Sequence, residues 1–340
     1  MKSATAGSSA AAALLVALAA PAFAEGELNL YSARHYDTDE ALYADFTKAT
    51  GITINRIEAG ADELFERIRA EGANSPADVF LTVDAGRLWR AADAGILAPV
   101  DSEILERRIP AYLQHPDNLW FSFSQRARIF FYDKETVDAP PLTYEALAEP
   151  RYEGMICARS SSNIYMLSLM ASMIAHHGEE AALAWAEGLN NNLARAPQGG
   201  DTDQLRGIVS GECPIAVSNT YYFARALATN VDGLTEGVEK IGWVFPNQAD
   251  RGTHVNVSGA GVLRNAPNRE NAVKFLEYLA SDQAQKYFSD GNYEYPAVPG
   301  VGLGDAVAQL GLFRSDNLNL SALGENQAAA VRLYDQAGYR

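Results

Sequence analysis

Tyr221 and Tyr222 stand side by side after a short run, Cys213 to Val217, that reads as a strand, and they open a stretch, Phe223 to Ala228, that reads as a helix. Two more tyrosines occupy similar joints. Tyr36 follows the strand-like Leu28 to Tyr31 and precedes a helical stretch, and Tyr165 follows Met155 to Ala158 and opens a helix. Phenols gathered where strands give way to helices suit a hard, oxygen-seeking cation, with Fe(III) the leading candidate. A free tyrosine ionises with a pKa of about 10, so each phenolate at neutral pH costs about 4 kcal/mol and four cost on the order of 16 kcal/mol. Bonds to a trivalent ion offset that cost, and a helix N-terminus helps because its partial positive charge favours anions. The residues ahead of the phenols, Asn219-Thr220 and Ser160-Ser161-Ser162-Asn163, are rich in the types that cap helices. Two adjacent long side chains on a first helical turn can converge on one ion, whereas on a strand they would face opposite ways.

Four phenolates around Fe(III) leave one surplus negative charge, which a neighbouring arginine would neutralise. Arg126 and Arg128 alternate along an extended stretch and share a face, and Arg225 lies three residues after Tyr222. Arg126 ranks first. The plainer reading of the same tyrosines is an aromatic cleft that stacks on an organic solute. His176-His177 reads as a pairing with a helix C-terminal dipole rather than a metal site, and Glu58 as a solvated carboxylate.

Strands and helices alternate along the chain, the pattern of an α/β fold with a largely parallel sheet. Leu28 to Tyr31, Ile52 to Ile57 and Asp78 to Val83 read as strands. Asp37 to Ala49, with Asp37 and Glu40 as a capping pair, Asp62 to Ala70 and Ala85 to Ala94 read as helices. Trp120 to Tyr132 then reads as extended chain that could cross between lobes, and Pro140-Pro141 begins a second unit with helices at Ile164 to His176 and Glu179 to Glu187. Val255 to Val262 could cross back, ahead of helices at Asn268 to Ala280 and Asp282 to Phe288. Two crossings imply two discontinuous lobes, 25–127 with 252–302 and 128–251 with 303–340, joined by a hinge. Tyr36 would come from the first, and Tyr165, Tyr221 and Tyr222 from the second. Ligands in such sheets bind beyond the carboxyl ends of the strands.

Cys157 lies eight residues before Tyr165, and Cys213 eight before Tyr221. Equal offsets place them at similar heights on strands that could be neighbours, so a disulfide is expected, with two buried free thiols the alternative. Lys2, the apolar Ala10 to Ala20 and Ala22-Phe23-Ala24 have the layout of a signal peptide over residues 1–24. Lys and Arg number 27 against 43 Asp and Glu, a net charge of −16, which disfavours nucleic acid and anionic membranes as partners. No stretch after the signal segment looks transmembrane, so stable membrane insertion is not expected. With no Ser-His-Asp arrangement, H-E-x-x-H or G-x-S-x-G to support hydrolysis, an enzyme is not expected either.

Taken together, Tyr31-Ser32-Ala33-Arg34-His35-Tyr36, Ala77-Asp78-Val79-Phe80-Leu81-Thr82-Val83-Asp84-Ala85-Gly86, Ser160-Ser161-Ser162-Asn163-Ile164-Tyr165, Ser218-Asn219-Thr220-Tyr221-Tyr222 and Gly291-Asn292-Tyr293-Glu294-Tyr295-Pro296 resemble the periplasmic ferric-ion-binding proteins that feed bacterial iron ABC importers, in their tyrosine-rich branch. The resemblance spans nearly all of the mature chain. It implies a two-lobe type II periplasmic binding protein, with Tyr36, Tyr165, Tyr221 and Tyr222 as iron ligands and His35 as a further one. It also implies a soluble periplasmic monomer with an inner-membrane iron ABC permease as partner. Other branches pair a His and a Glu with two tyrosines and add a bound anion; the extra tyrosines here make an anion unnecessary, and Asn163-Ile164-Tyr165 occupies the anion's place. The rival readings are a binding protein for a small organic solute and an exported metalloenzyme.

Overall fold

In a computed structural model of the chain, residues 26–34, 36 and 38–340 are described. The expected signal segment, His35 and Asp37 lie outside them. In chain order the strands are β1 (Gly26–Ser32), β2 (Ile52–Glu58), β3 (Val79–Val83), β4 (Leu97–Ala98), β5 (Phe121–Asp133), β6 (Ile156–Cys157), β7 (Ile215–Asn219), β8 (Ile241–Val244), β9 (Val255–Leu263) and β10 (Tyr295–Pro296). The helices are α1 (Asp39–Thr50), α2 (Ala61–Glu71), α3 (Ala85–Asp93), α4 (Glu103–Arg108), α5 (Ile164–Asn191), α6 (Asp201–Ser210), α7 (Thr220–Ala228), α8 (Arg269–Leu279), α9 (Asp282–Asp290), α10 (Asp305–Leu310), α11 (Ser321–Glu325) and α12 (Gln327–Gln336). Among the described residues no helix is long and apolar enough to cross a membrane.

The sheet runs β2-β1-β3-β9-β5-β7-β6, with β4 on β9 and with β8 and β10 on β5. It is mixed, not largely parallel. β1 runs parallel to β2 and β3, and β6 to β7, but β9 is antiparallel to β3, and β5 is antiparallel to both β9 and β7. Helical crossovers make the outer pairs parallel, while the two long strands that traverse the middle run against their neighbours. β5 changes partner midway. Phe121 to Ala127 registers on β9, and Arg128 to Tyr132 registers on β7. Both long strands are buried along most of their length, β5 carrying Ser122, Ser124, Arg126 and Arg128 and β9 carrying Asn256 and Ser258 among their apolar residues. Phe121, Phe123, Phe130 and Phe131 are fully buried and contribute about 1.5–3 kcal/mol each. At Gly259 on β9 a Cβ would lie 2.6 Å from the Phe121 carbonyl oxygen, so only glycine lets β9 and β5 close at that point.

Other details refine the sequence reading. α1 begins at Asp39 without a side-chain cap, and Asp39 binds Arg34 instead. It ends where Gly51, at φ 75°, donates to the Thr47 carbonyl. The two helices expected on either side of Gly178 are both present within α5, separated where Gly178 leaves the helical conformation at φ 79° and ψ 167°. Cys157 and Cys213 form a disulfide with Cα atoms 5.8 Å apart. They are not level, since Cys157 registers with Ala216, three residues beyond Cys213. The bond therefore ties β6 to the turn entering β7. Cross-linking residues 56 apart contributes about 4 kcal/mol in the chain-entropy model. The double variant Cys157→Ser/Cys213→Ser is expected to lose about 2–4 kcal/mol in urea unfolding; an unchanged midpoint would show that the bond does not stabilise the fold.

Candidate metal centre

Each tyrosine sits at the start of a helix or just ahead of one. Tyr36 lies between β1 and α1, where its carbonyl accepts the Asp39 N–H at 2.9 Å. Tyr165 is in the first turn of α5, its N–H donated to Asn163 Oδ1 at 3.0 Å, so Asn163 caps that helix as its type predicts. Tyr221 and Tyr222 are in the first turn of α7. The expected cap there is absent: Asn219 turns its side-chain oxygen to Arg128, and Thr220 Oγ1 takes the Ala127 N–H. The leading amides of α7 are left without a side-chain partner, which strengthens the positive end of that helix.

The structure brings all four phenols together. The Tyr165 and Tyr221 hydroxyls are 3.1 Å apart, and the Tyr221 and Tyr222 rings lie 4.2 Å apart, tilted by 30°. Tyr221 is buried and the other three are half-buried. Burial first, then the Glu294 carboxylate, pushes the Tyr36 phenol up to about 12; Arg34 and Arg126 act against this, and Tyr165 adds to it. Burial, then Tyr165, Tyr222 and Tyr36, holds Tyr221 well above the ordinary phenol range. Burial, then Tyr165 and Asp201, does the same to Tyr222. Tyr165 thus makes Tyr36, Tyr221 and Tyr222 harder to ionise, while the hydrogen bond between Tyr221 and Tyr222 acts the other way on Tyr222. Burial and crowding together favour neutral hydroxyls at Tyr36, Tyr221 and Tyr222.

Arginines surround the phenols, and Arg34, Arg126, Arg128 and Arg159 are held by acids. Arg126 Nη1 pairs with Glu294 at 3.2 Å and donates to Ser258, while Nη2 donates to the Val257 carbonyl. Its guanidinium lies 5.8 Å from the Tyr165 ring. Burial alone would make the Arg126 cation easier to lose, but Glu294, Tyr165, Tyr221 and Tyr36 raise its pKa. Arg34 grips Asp39 through two nitrogens, reaches Glu294 at 3.5 Å and lies 4.7 Å from the Tyr36 ring. Arg128 pairs with Asp201 at 3.0 Å, and Arg159 approaches the same carboxylate at 3.6 Å while lying 5.4 Å from the Tyr165 ring. Arg225 lies 5.7 Å from the Tyr222 ring and donates to Thr202.

Glu58 is exposed and pairs with Arg56 at 3.3 Å, as a solvated carboxylate would. His176 and His177 bind Asp316 and Glu145 rather than a helix end alone. Among the described residues, the grouping of His, Cys, Asp and Glu close enough to hold an ion is Cys157, Glu212 and Cys213, whose sulfurs are spent in the disulfide. The residues that sequence reasoning missed are Arg34, Asp39, Arg159, Asp201 and Glu294. Glu294 stood inside a motif that was noted, but nothing local shows that its carboxylate meets an arginine 260 residues away.

Residues 32–286 match the family model of bacterial extracellular solute-binding proteins. Iron uptake protein A1 of Synechocystis is 52% identical over 315 residues, covering 92% of this chain and 88% of that protein. The Fe(3+)-binding periplasmic protein of Serratia marcescens is 27% identical over 322 residues, covering 93% and 92%. A solved structure of Trichodesmium IdiA (FutA) with iron and citrate superposes with a TM-score of 0.90 at 52% identity, covering 93% of this chain and 100% of that one. These relatives are binding proteins, and the fold is their two-lobe type II architecture, with β5 and β9 as the crossing strands of the hinge. The chain belongs to the family of bacterial extracellular solute-binding proteins.

Proposed function

We propose that this chain captures Fe(III) in the cleft between two lobes through the phenolates of Tyr36, Tyr165, Tyr221 and Tyr222, with His35 as a further ligand, and delivers it to an inner-membrane ABC permease. The observation that carries the reading is the convergence of four phenols from three distant segments. The names of relatives half identical to this chain support iron as the cargo. The lobes are 25–127 with 252–302 and 128–251 with 303–340, a division supported by the change of partner along β5 at Ala127 and Arg128. Arg126 faces three of the phenols and Arg225 a fourth, where they offset the charge of the loaded centre. The chain works in the periplasm as a soluble monomer after loss of residues 1–24, and it needs no catalytic step.

Loading proceeds by exchange of protons for metal. At neutral pH Tyr36, Tyr221 and Tyr222 are protonated, because all three are raised above the ordinary value of 10.0. Each phenolate formed releases a proton, so acid opposes binding. Reduction to Fe(II) weakens the site as well, because the ion loses charge and hardness. Either event is a route to release.

Three outcomes test this reading. Titrating the mature protein with Fe(III) is expected to produce a broad visible charge-transfer band that saturates at one iron per chain and is shifted or lost in Tyr221→Phe. The absence of a band at any ratio would favour an organic-solute binder instead. Apparent affinity, measured against a competing chelator, is expected to fall about tenfold per pH unit on acidification for every proton displaced. A flat profile would show that the phenols do not ionise. For the metal-free chain the sign reverses. Raised phenol pKa values give stability that is intact below about pH 10 and lost as pH rises through about 12, which denaturation between those values will measure.

A further inference from the structure

Asp84 forms the one-residue joint between β3 and α3, with φ 82° and ψ 125°, a left-handed backbone that side-chain-bearing residues rarely adopt. It is fully buried and has no salt-bridge partner among the described residues. Its carboxylate is nevertheless saturated. Oδ1 accepts the Gly86 N–H at 2.7 Å, which caps α3. Oδ2 accepts the Asn256 side-chain amide of β9 at 2.6 Å and the Ser168 hydroxyl of α5 at 2.7 Å. Asn256 is itself held, its Oδ1 taking the N–H groups of Ala85 and Val257. Capping α3 requires only one oxygen. The second oxygen joins a crossing strand to the helix that carries Tyr165.

Ser168 is buried and lies three residues after Tyr165, on the same side of the first turns of α5. On the lobe division proposed above, Asp84 and Asn256 belong to one lobe and Ser168 to the other. A hydroxyl donated to a buried carboxylate is a strong, direction-sensitive bond. Swinging the lobes apart would break it and leave an anion with one fewer donor. We propose that the Ser168–Asp84 hydrogen bond is an interlobe latch: Asp84 and Ser168 are positioning residues that hold the Tyr165 turn in the closed arrangement and so set how long the cargo stays. The backbone strain at Asp84 is accepted because the carboxylate must reach α5 from the end of β3. This inference rests on the two-lobe reading with Tyr165 as a ligand.

The test uses the mature chain with Ser168→Ala, which leaves the cap on α3 and the Asn256 bond in place. With Fe(III) loaded, release to excess EDTA is expected to be about tenfold faster than in the parent. The visible band should stay at its wavelength, because the ligands are untouched, and Ser168→Thr, which restores a hydroxyl, should bring the rate back. Asp84→Asn weakens the acceptor while keeping its size; it should speed release in the same direction and serves if the alanine variant does not fold. Parent-like release in both Ser168→Ala and Asp84→Asn would overturn the latch. Should the parent chain take up no Fe(III), the iron reading fails, and the latch is judged on metal-free protein by hydrogen exchange. Faster exchange at residues 164–169 and 84–88 in Ser168→Ala supports it, and unchanged exchange there overturns it.

Discussion

Burial holds the phenols of Tyr36, Tyr221 and Tyr222 above the ordinary range, and the organisation of the centre follows from that. Burial removes the water that would solvate a phenolate, and Tyr165 adds to the cost for Tyr36, Tyr221 and Tyr222. Under the function proposed above, only a cation of high charge would offset that cost and turn these oxygens into anionic ligands.

Phenols that converge on one point must be held there by the parts of the fold around them. Helix starts do this for Tyr165, Tyr221 and Tyr222, and the Arg34–Asp39 pair anchors the segment around Tyr36. The arginines have a second task. Arg34 and Arg126 are matched by Asp39 and Glu294, whereas Arg128 and Arg159 share the single carboxylate of Asp201. Positive charge is thereby fixed around the phenols without any one guanidinium being left unpaired in the core, where it would be costly.

The phenols were legible in the sequence because their signal is local. A tyrosine directly after a strand and at the head of a helix can be recognised from a dozen residues, and the pair at Tyr221 and Tyr222 is informative only with the turn that precedes it. The extended stretches that became β5 and β9 were legible for the same reason, Trp120 to Tyr132 by its alternation of aromatic and polar residues. Strand direction was not, since Val255 to Leu263 reads the same whichever way it lies against Val79 to Val83. The buried ion network was also hidden. Glu294, Asp201 and Asp84 look like any other acids along the chain, and their roles come from partners far away in sequence. Asp84 carries one local hint, a lone residue between a strand and a helix, but its backbone angle is seen only in three dimensions.

The measurement that bears most directly on this account is diffraction from crystals of the Fe(III)-loaded chain at the iron absorption edge. The account predicts one anomalous peak within bonding distance of the hydroxyl oxygens of Tyr36, Tyr165, Tyr221 and Tyr222. A peak bound elsewhere, or none in crystals grown with excess Fe(III), would contradict it.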